Sequence, residues 1–509
     1  MMPPYAGRFA AFLGGILLKS PRKAGFAPPV PARRRGAVVL AVVVLGLSWV
    51  SGPALAKGGE DTLGPSLEAA IGVSALSGAR IGALVVRASD GEVLWSHNPE
   101  LPLIPASNMK LLTALAVLEL LGPTHRFQTQ IRADRLPGPS GTIGELAVRG
   151  GGDPALTSED GWRIAADLRR RGVRKIEGDI LVDDSAFEDA LWHPSWGPIS
   201  SRAYHAPVGA LSVNYGAFFV RVSPAGRQGD APVVSVDPPV EYLEVKNRSQ
   251  THPPGRPDSL RVSRGTSSGS KEEIVVSGGL RHGTESDLFA RSVSDPALYA
   301  GSLLKLQLEG LGIEVAGTVR RGKARTGGVL LDFEGEPLSE IVELTLKYSN
   351  NAIAETLVKS VGMELGRGPG SWKRGMPLVR NQLLKTGIID EEAVLVDGSG
   401  LSTGNRLSAR MLVRALNRAL SSFRVGPEMM AALPISARDG TLQDRLGAGR
   451  DRMRGKTGLL GSSRVVALSG VVESDAGEER IFSILVNGYE GSTPEAMDAV
   501  DAWVSVLFR

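Results

Sequence analysis

Two hairpin signals, one near each end of the chain, set the terms for any fold of these residues. Residues 83–87 and 92–96 alternate around Ser89-Asp90-Gly91, and residues 465–472 and 480–487 are β-rich runs joined by Ser474-Asp475-Ala476-Gly477. Such runs bounded by turn residues read as antiparallel strand pairs. Helices accompany both. Leu111, Leu112, Leu115, Leu118 and Leu121 recur at helical spacing from Ser107 until Gly122-Pro123 stops them. Further helices are expected over 338–348 and over 352–365, the latter burying Ile353, Leu357 and Val358, and a last one opens at Pro494 with Thr493 before it. The order hairpin, helix, long middle, helices, hairpin, helix suits an α+β fold: an antiparallel sheet in which the chain ends meet, with helices on both faces.

The middle has a different texture. From about 122 to 335 the sequence offers short strands, glycine turns and a few helices, such as 162–171, stopped by Gly172 with Ser158 or Asp160 as its cap; polar stretches such as 246–259 read as surface loops. This is expected to be a large inserted β-rich module of one or two subdomains. The division is then a leading segment over 1–56, a main body over 57–121 and 336–509, and an insert over 122–335.

A chain of 509 residues, 42% of them hydrophobic, can bury a sizeable core and hold two or three domains. It has no cysteine, so disulfides and thiolate metal sites are excluded. Its 58 Lys and Arg exceed its 54 Asp and Glu, but the first 56 residues hold seven of the basic residues and no acidic one. The remainder is slightly acidic, which removes the case for a nucleic-acid partner. Arg33-Arg34-Arg35, the apolar run 37–50 and Ala54-Leu55-Ala56 have the charged start, apolar middle and small-residue exit of a secretory signal, with cleavage expected after Ala56. The run falls short of the roughly 20 residues that span a bilayer. The expectation is a periplasmic or otherwise extracytoplasmic protein with no stable membrane span after cleavage.

Three weak motifs carry the chemistry. Ser107-Asn108-Met109-Lys110 is a Ser-x-x-Lys at the start of the leucine helix, where a three-residue step puts both side chains on one face. A lysine there accepts the serine proton if burial lowers its pKa. Ser268-Gly269-Ser270-Lys271 and Ser302-Leu303-Leu304-Lys305 match the same pattern, the first in a polar glycine-rich stretch and the second inside an amphipathic helix. Only Ser107 sits at a helix N-terminus, which favours a developing oxyanion. Lys-Thr-Gly occurs at 385–387, where it ends a helix over 378–384, and at 456–458, leading toward the strand at Val465. In the second copy a cation and hydroxyl at a sheet edge suit a substrate carboxylate, while glycine admits a close-lying substrate. Ser349-Asn350-Asn351 lies between two helices, where small polar residues more often cap than catalyse. Their order Ser-x-x-Lys, Ser-x-Asn, Lys-Thr-Gly is a far stronger signal than any one of them.

Other nucleophile schemes fare worse. Gly265-Thr266-Ser267-Ser268-Gly269 fits a Gly-x-Ser-x-Gly elbow but lacks the flanking strand and helix and reads as a loop. The six histidines show no metal-ligand spacing and none lies beyond His282, so no metal or other cofactor is expected.

On these residues the chain resembles the penicillin-recognising enzymes, and more narrowly the D-Ala-D-Ala carboxypeptidase/endopeptidase family, peptidase family S13 or class C penicillin-binding proteins. The likeness continues through Gly150-Gly151-Gly152-Asp153-Pro154, 178–185, 204–211, 295–299 and Asp397-Gly398-Ser399-Gly400-Leu401-Ser402. The resemblance implies a penicillin-binding-protein or serine β-lactamase-like catalytic domain acting on peptidoglycan peptides, with β-lactams as covalent inhibitors. By it, Ser107 is the nucleophile, Lys110 its base, and Ser349 a relay toward the leaving amine. Asn351 holds the substrate amide, Lys456 and Thr457 grip the terminal carboxylate, Gly458 lies beside them, and the backbone N–H groups of Ser107 and Leu459 form the oxyanion hole.

Two positions depart from the family pattern. Leu459 stands where relatives usually carry a hydroxyl residue. Trp196-Gly197-Pro198-Ile199-Ser200-Ser201-Arg202 has no acid where relatives often place an aspartate for the diaminopimelate amine. A serine β-lactamase or esterase of the same fold, and a non-catalytic wall-binding or sensor homologue, stay open as alternatives.

Overall fold

The computed structural model describes residues 60–266, 271–323 and 327–509. The signal over 1–56, Ser268 to Ser270 and most of the elbow-like run lie outside the described residues. Both chain ends meet in one five-stranded antiparallel sheet, in the order Met453–Leu460, Val465–Glu473, Glu479–Asn487, Arg80–Arg87, Val93–His97. The strand period of two sorts its side chains cleanly. Val85, Leu468, Ile484 and Val486 face a core with Leu67 of the Glu60–Ile71 helix and Trp503 of the Thr493–Val506 helix. Leu84, Val86, Ile481 and Leu485 face the opposite core, with Leu412 and Leu416 of the Ala409–Ser421 helix and the leucines of the Met109–Leu121 helix. Burial on both faces is why the Val465–Glu473 and Glu479–Asn487 strands read as near-continuous apolar runs.

Between Gly122 and Leu338 the chain makes an excursion that closes on itself. Its outgoing strand Arg126–Ala133 pairs antiparallel with its returning strand Gly328–Pro337. Leu338 N then donates to His125 O at 2.8 Å and Ser339 N to Pro123 O at 3.0 Å. The excursion has its own core, including Ile131, Val182, Phe218, Ile274 and Tyr299. Phe127, Trp196, Val208 and Tyr215 instead pack into the helical core beside the sheet, with Leu357 and Trp372.

Several local expectations are corrected. Residues 246–252, read as loop, belong to the strand Leu243–His252, which runs parallel to Glu272–Arg281. Beyond Leu243 and Val245 its own sequence is polar, and most of the apolar contribution comes from its partner's Ile274, Val276 and Leu280. The helix expected from 162 spans Ser158–Arg170 and is capped by Thr157, with Asp160 returning the bond in a capping box. The closing helix begins one residue earlier than Pro494, as Thr493–Val506, and is capped by Ser492. The helix expected over 378–384 spans Trp372–Lys385 and runs through Pro377, because Trp372, Met376, Val379 and Leu383 make one buried face worth more than the lost hydrogen bond. Among the described residues no helix is long and apolar enough to cross a membrane.

Candidate active site

The Met109–Leu121 helix buries every residue from Met109 to Leu118, the condition of a helix apolar all round. One charged side chain, Lys110, is fully buried among them. A single 3-10 turn, Ala106–Asn108, precedes the helix, so Ser107 sits just before it rather than in its first turn. Side chains three apart nearly eclipse in such a turn, and Lys110 Nζ lies 2.9 Å from Ser107 Oγ. The same nitrogen lies 2.7 Å from Asn351 Oδ1 and 2.7 Å from Ser399 O. Burial lowers the Lys110 pKa to about 7, against the opposing pull of Asp397 and Glu355. Near neutral pH a substantial fraction of this lysine is therefore a free amine touching a hydroxyl.

Ser349-Asn350-Asn351 divides its labour. Asn350 caps the Asn351–Glu364 helix, accepting from Ile353 N at 3.1 Å. The cap thus engages the middle residue and leaves its neighbours for the cleft. Ser349, at φ +55°, accepts from Lys456 Nζ at 2.8 Å. Lys456 also donates to Thr457 O at 2.6 Å, and burial, then the charges of Lys110 and Arg445, hold its pKa well below the usual lysine range.

Lys456-Thr457-Gly458 leads on to the strand at Val465, as expected, but it also lies within a strand itself, the edge strand Met453–Leu460, paired to Ser469, Leu468 and Ala467. Glycines and a lysine form strands poorly in isolation, which hid it. A Cβ on Gly458 would stand 3.0 Å from Pro105 O and 3.2 Å from Ala106 Cβ. The close neighbour that glycine admits is the serine turn itself. Thr457 Oγ1 donates to Thr441 Oγ1 at 2.9 Å.

Ser107, Ser349, Asn351, Thr457 and Leu459 line one cleft of about 680 Å³; Lys110, Lys456 and Gly458 stand behind its wall. The excursion supplies the opposite wall through Trp196, Tyr204 and His205. Tyr204 O accepts from Asn351 Nδ2 at 3.1 Å, and Trp196 Nε1 donates to Asp397 Oδ2 at 2.9 Å. His205 Nδ1 accepts from Ser200 N at 3.0 Å, and burial lowers its pKa.

The other motif copies lie elsewhere. Thr386 of the Lys-Thr-Gly at 385–387 bonds back to Gln382 O at 2.9 Å beyond the end of its helix, and Gly387 takes φ +69°. Lys305 pairs with Glu241 at 3.1 Å.

Four contributors carried no assigned role in the sequence reading. Ser399 O is an acceptor for Lys110. Glu355, fully buried and pushed upward in pKa chiefly by that burial, holds Ser399 N at 2.7 Å. Asp397 accepts from Gly400 N at 2.9 Å and Ser402 N at 2.7 Å, and Thr441 shares the cleft with Thr457. The acid within the glycine-rich 397–402 turn was a visible signal for Asp397; Glu355 looks like any helical glutamate.

Comparison with known proteins identifies the family and the fold. The family model described as D-Ala-D-Ala carboxypeptidase 3 (S13) matches residues 63–507. A D-alanyl-D-alanine carboxypeptidase of Actinomadura sp. (strain R39) is 36% identical over 490 residues, covering 92% of this chain and 89% of the relative. The D-alanyl-D-alanine carboxypeptidase DacB of Haemophilus influenzae is 25% identical, covering 81% and 86%. The crystal structure of penicillin binding protein 4 (dacB) from that organism superposes with a TM-score of 0.74 over 87% of this chain and 98% of its own, at 23% identity. A sheet closed by both chain ends, a serine-lysine turn at its edge and a family match across nearly every described residue have one common explanation: this chain belongs to the D-Ala-D-Ala carboxypeptidase 3 (S13) family.

Proposed function

We propose that this protein is a serine D,D-peptidase that hydrolyses D-alanyl bonds of peptidoglycan stem peptides or cross-links through an acyl-enzyme, and that β-lactams acylate the same serine. The observation that carries the reading is the pair of buried lysines, each in contact with a different cleft serine: Lys110 with Ser107 and Lys456 with Ser349.

Neutral Lys110 takes the Ser107 proton as Oγ bonds to the carbonyl carbon of the penultimate D-alanine. The backbone N–H groups of Ser107 and Leu459 receive the oxyanion. As the C–N bond breaks, Ser349 gives its proton to the leaving amine and takes one from Lys456. Asn351 holds the substrate amide, and Thr457, with Thr441 beside it and the Lys456 charge behind, receives the terminal carboxylate; Gly458 keeps that strand against the serine turn. Water then attacks the ester, its proton passing through Ser349 to Lys456, while Ser107 recovers its own from Lys110. Atoms and protons balance, and both lysines return to their starting states.

The excursion from about 122 to 335 is read as an inserted module whose Trp196, Tyr204 and His205 complete the cleft. The basic, apolar first 56 residues are read as an export signal, which places the enzyme outside the cytoplasm with its substrate. Labelled benzylpenicillin should bind wild-type protein covalently and fail to bind Ser107→Ala; persistent labelling of that variant would overturn the nucleophile.

A further inference from the structure

A second hollow, of about 130 Å³, shares Tyr204, Ser349 and Asn351 with the catalytic cleft and adds Arg202 and Arg291. A strand bridge between residues 202 and 291, with Ser292 N donating to Ser201 O at 2.9 Å, sets the two arginines side by side. Neither guanidinium has a carboxylate within 4.0 Å among the described residues. Other arginines of the excursion that are held in place are neutralised: Arg264 pairs with Glu272 at 3.0 Å, and Arg321 with Asp295 at 2.7 Å and Asp184 at 2.8 Å.

Arg291 is half-buried and held in place. Its Nε donates to Val262 O at 2.7 Å and its Nη1 to Ala290 O at 2.8 Å, and its guanidinium lies 5.2 Å from the Phe289 ring centroid. Nη2 has no partner among the described residues. Burial, then the charge of exposed Arg202, lowers its pKa to about 10. Two like charges beside a cleft, one of them fixed, cost stability until an anion sits between them. The wall of the catalytic cleft carries no Lys, Arg, Asp or Glu, so apart from the buried lysines behind it this pair brings positive charge to its border.

We propose that Arg202 and Arg291 form a carboxylate subsite that engages a free carboxylate of the stem peptide away from the scissile bond. The substrate class rests on the peptidase reading above; the anion site rests on the arginine pair. Two sources carry that group: the α-carboxylate of an isoglutamyl residue and the side-chain carboxylate of a diamino acid.

The test compares cleavage of three matched pentapeptides, one with both carboxylates free, one amidated only at the isoglutamyl residue and one amidated only at the diamino acid. Wild type, Arg202→Gln and Arg291→Gln are assayed, the first variant changing only an exposed side chain. In wild type one amidation should lower kcat/KM about 10-fold, mostly through KM, as loss of a charge-assisted hydrogen bond does. The amidation that does so identifies the source. In Arg202→Gln that discrimination should shrink to within about twofold. Equal cleavage of all three peptides by wild type, or full discrimination retained by Arg202→Gln, would overturn the subsite. Calorimetric binding of the same peptides to Ser107→Ala separates this from the chemistry. If wild type neither cleaves peptides nor reacts with benzylpenicillin, the peptidase reading fails, and a preference of Ser107→Ala for the free carboxylate still supports the subsite while equal affinities overturn it.

Discussion

A lysine fully buried in the first turn of an apolar helix is costly unless its neutral form is used. Lys110 is only a proton acceptor when neutral, so penicillin acylation should climb about tenfold per pH unit on the acid side and level off above a pKa of about 7. A second, opposing arm is expected wherever Lys456, whose pKa is also depressed, loses the charge that supports the carboxylate. Stopped-flow acylation across this range checks both arms, and a flat profile through neutrality would remove Lys110 as base. Lys110→Arg keeps the charge but cannot deprotonate, and should slow acylation by about 100- to 10,000-fold. Two of the strained backbone positions lie at or beside the cleft serines. Ala106 at φ +45° and Ser349 at φ +55° hold the left-handed conformation unfavourable to non-glycine residues, a cost of order 1–3 kcal/mol each that packing has to overcome.

At the scale of elements, the serine turn is wedged between the edge strand and the 397–402 turn. Gly400, at φ +79°, passes so close to Ala106 O that a Cβ there would overlap it. Gly400→Ala should therefore destabilise the protein by about 2–4 kcal/mol and slow acylation by displacing the turn. Gly387, at φ +69° with open space around it, provides the contrast. Gly387→Ala should cost about 1 kcal/mol and leave acylation unchanged. Denaturant midpoints and acylation rates for the pair decide whether the Ala106 contact or the backbone conformation alone matters.

For the whole molecule, the excursion is tied to the serine-lysine cluster by a handful of hydrogen bonds. Trp196 reaches Asp397, whose turn carries Ser399, an acceptor for Lys110. Lys359 on the Asn351–Glu364 helix donates to Ala190 O at 2.7 Å and Val208 O at 2.9 Å across the same junction. Trp196→Phe preserves the ring but leaves one Asp397 oxygen short of a donor, so it should cost about 1–3 kcal/mol and reduce acylation more than its distance from Ser107 suggests. Unaltered acylation would mean that the excursion shapes the cleft without supporting the base.

What the residues declare alone is whatever has a short period. The strands at 80–97 and 465–487 were legible because burial on one or both faces leaves its mark within a few positions, and so were the leucine helix and the glycine stops. Element context also separated Ser107 from the Ser302 copy and Lys456 from Lys385. The strands Leu243–His252 and Met453–Leu460 were not legible, since a neighbouring strand supplies what their own composition lacks. Nor was the use of Glu355, Ser399 and Thr441, which are unremarkable in their local sequence. Tertiary structure alone brings Lys110 to Ser399 across 289 positions and Lys456 to Ser349 across 107. A proton path depends on distances of a few ångströms and on the exclusion of water, and neither quantity exists until distant segments have packed.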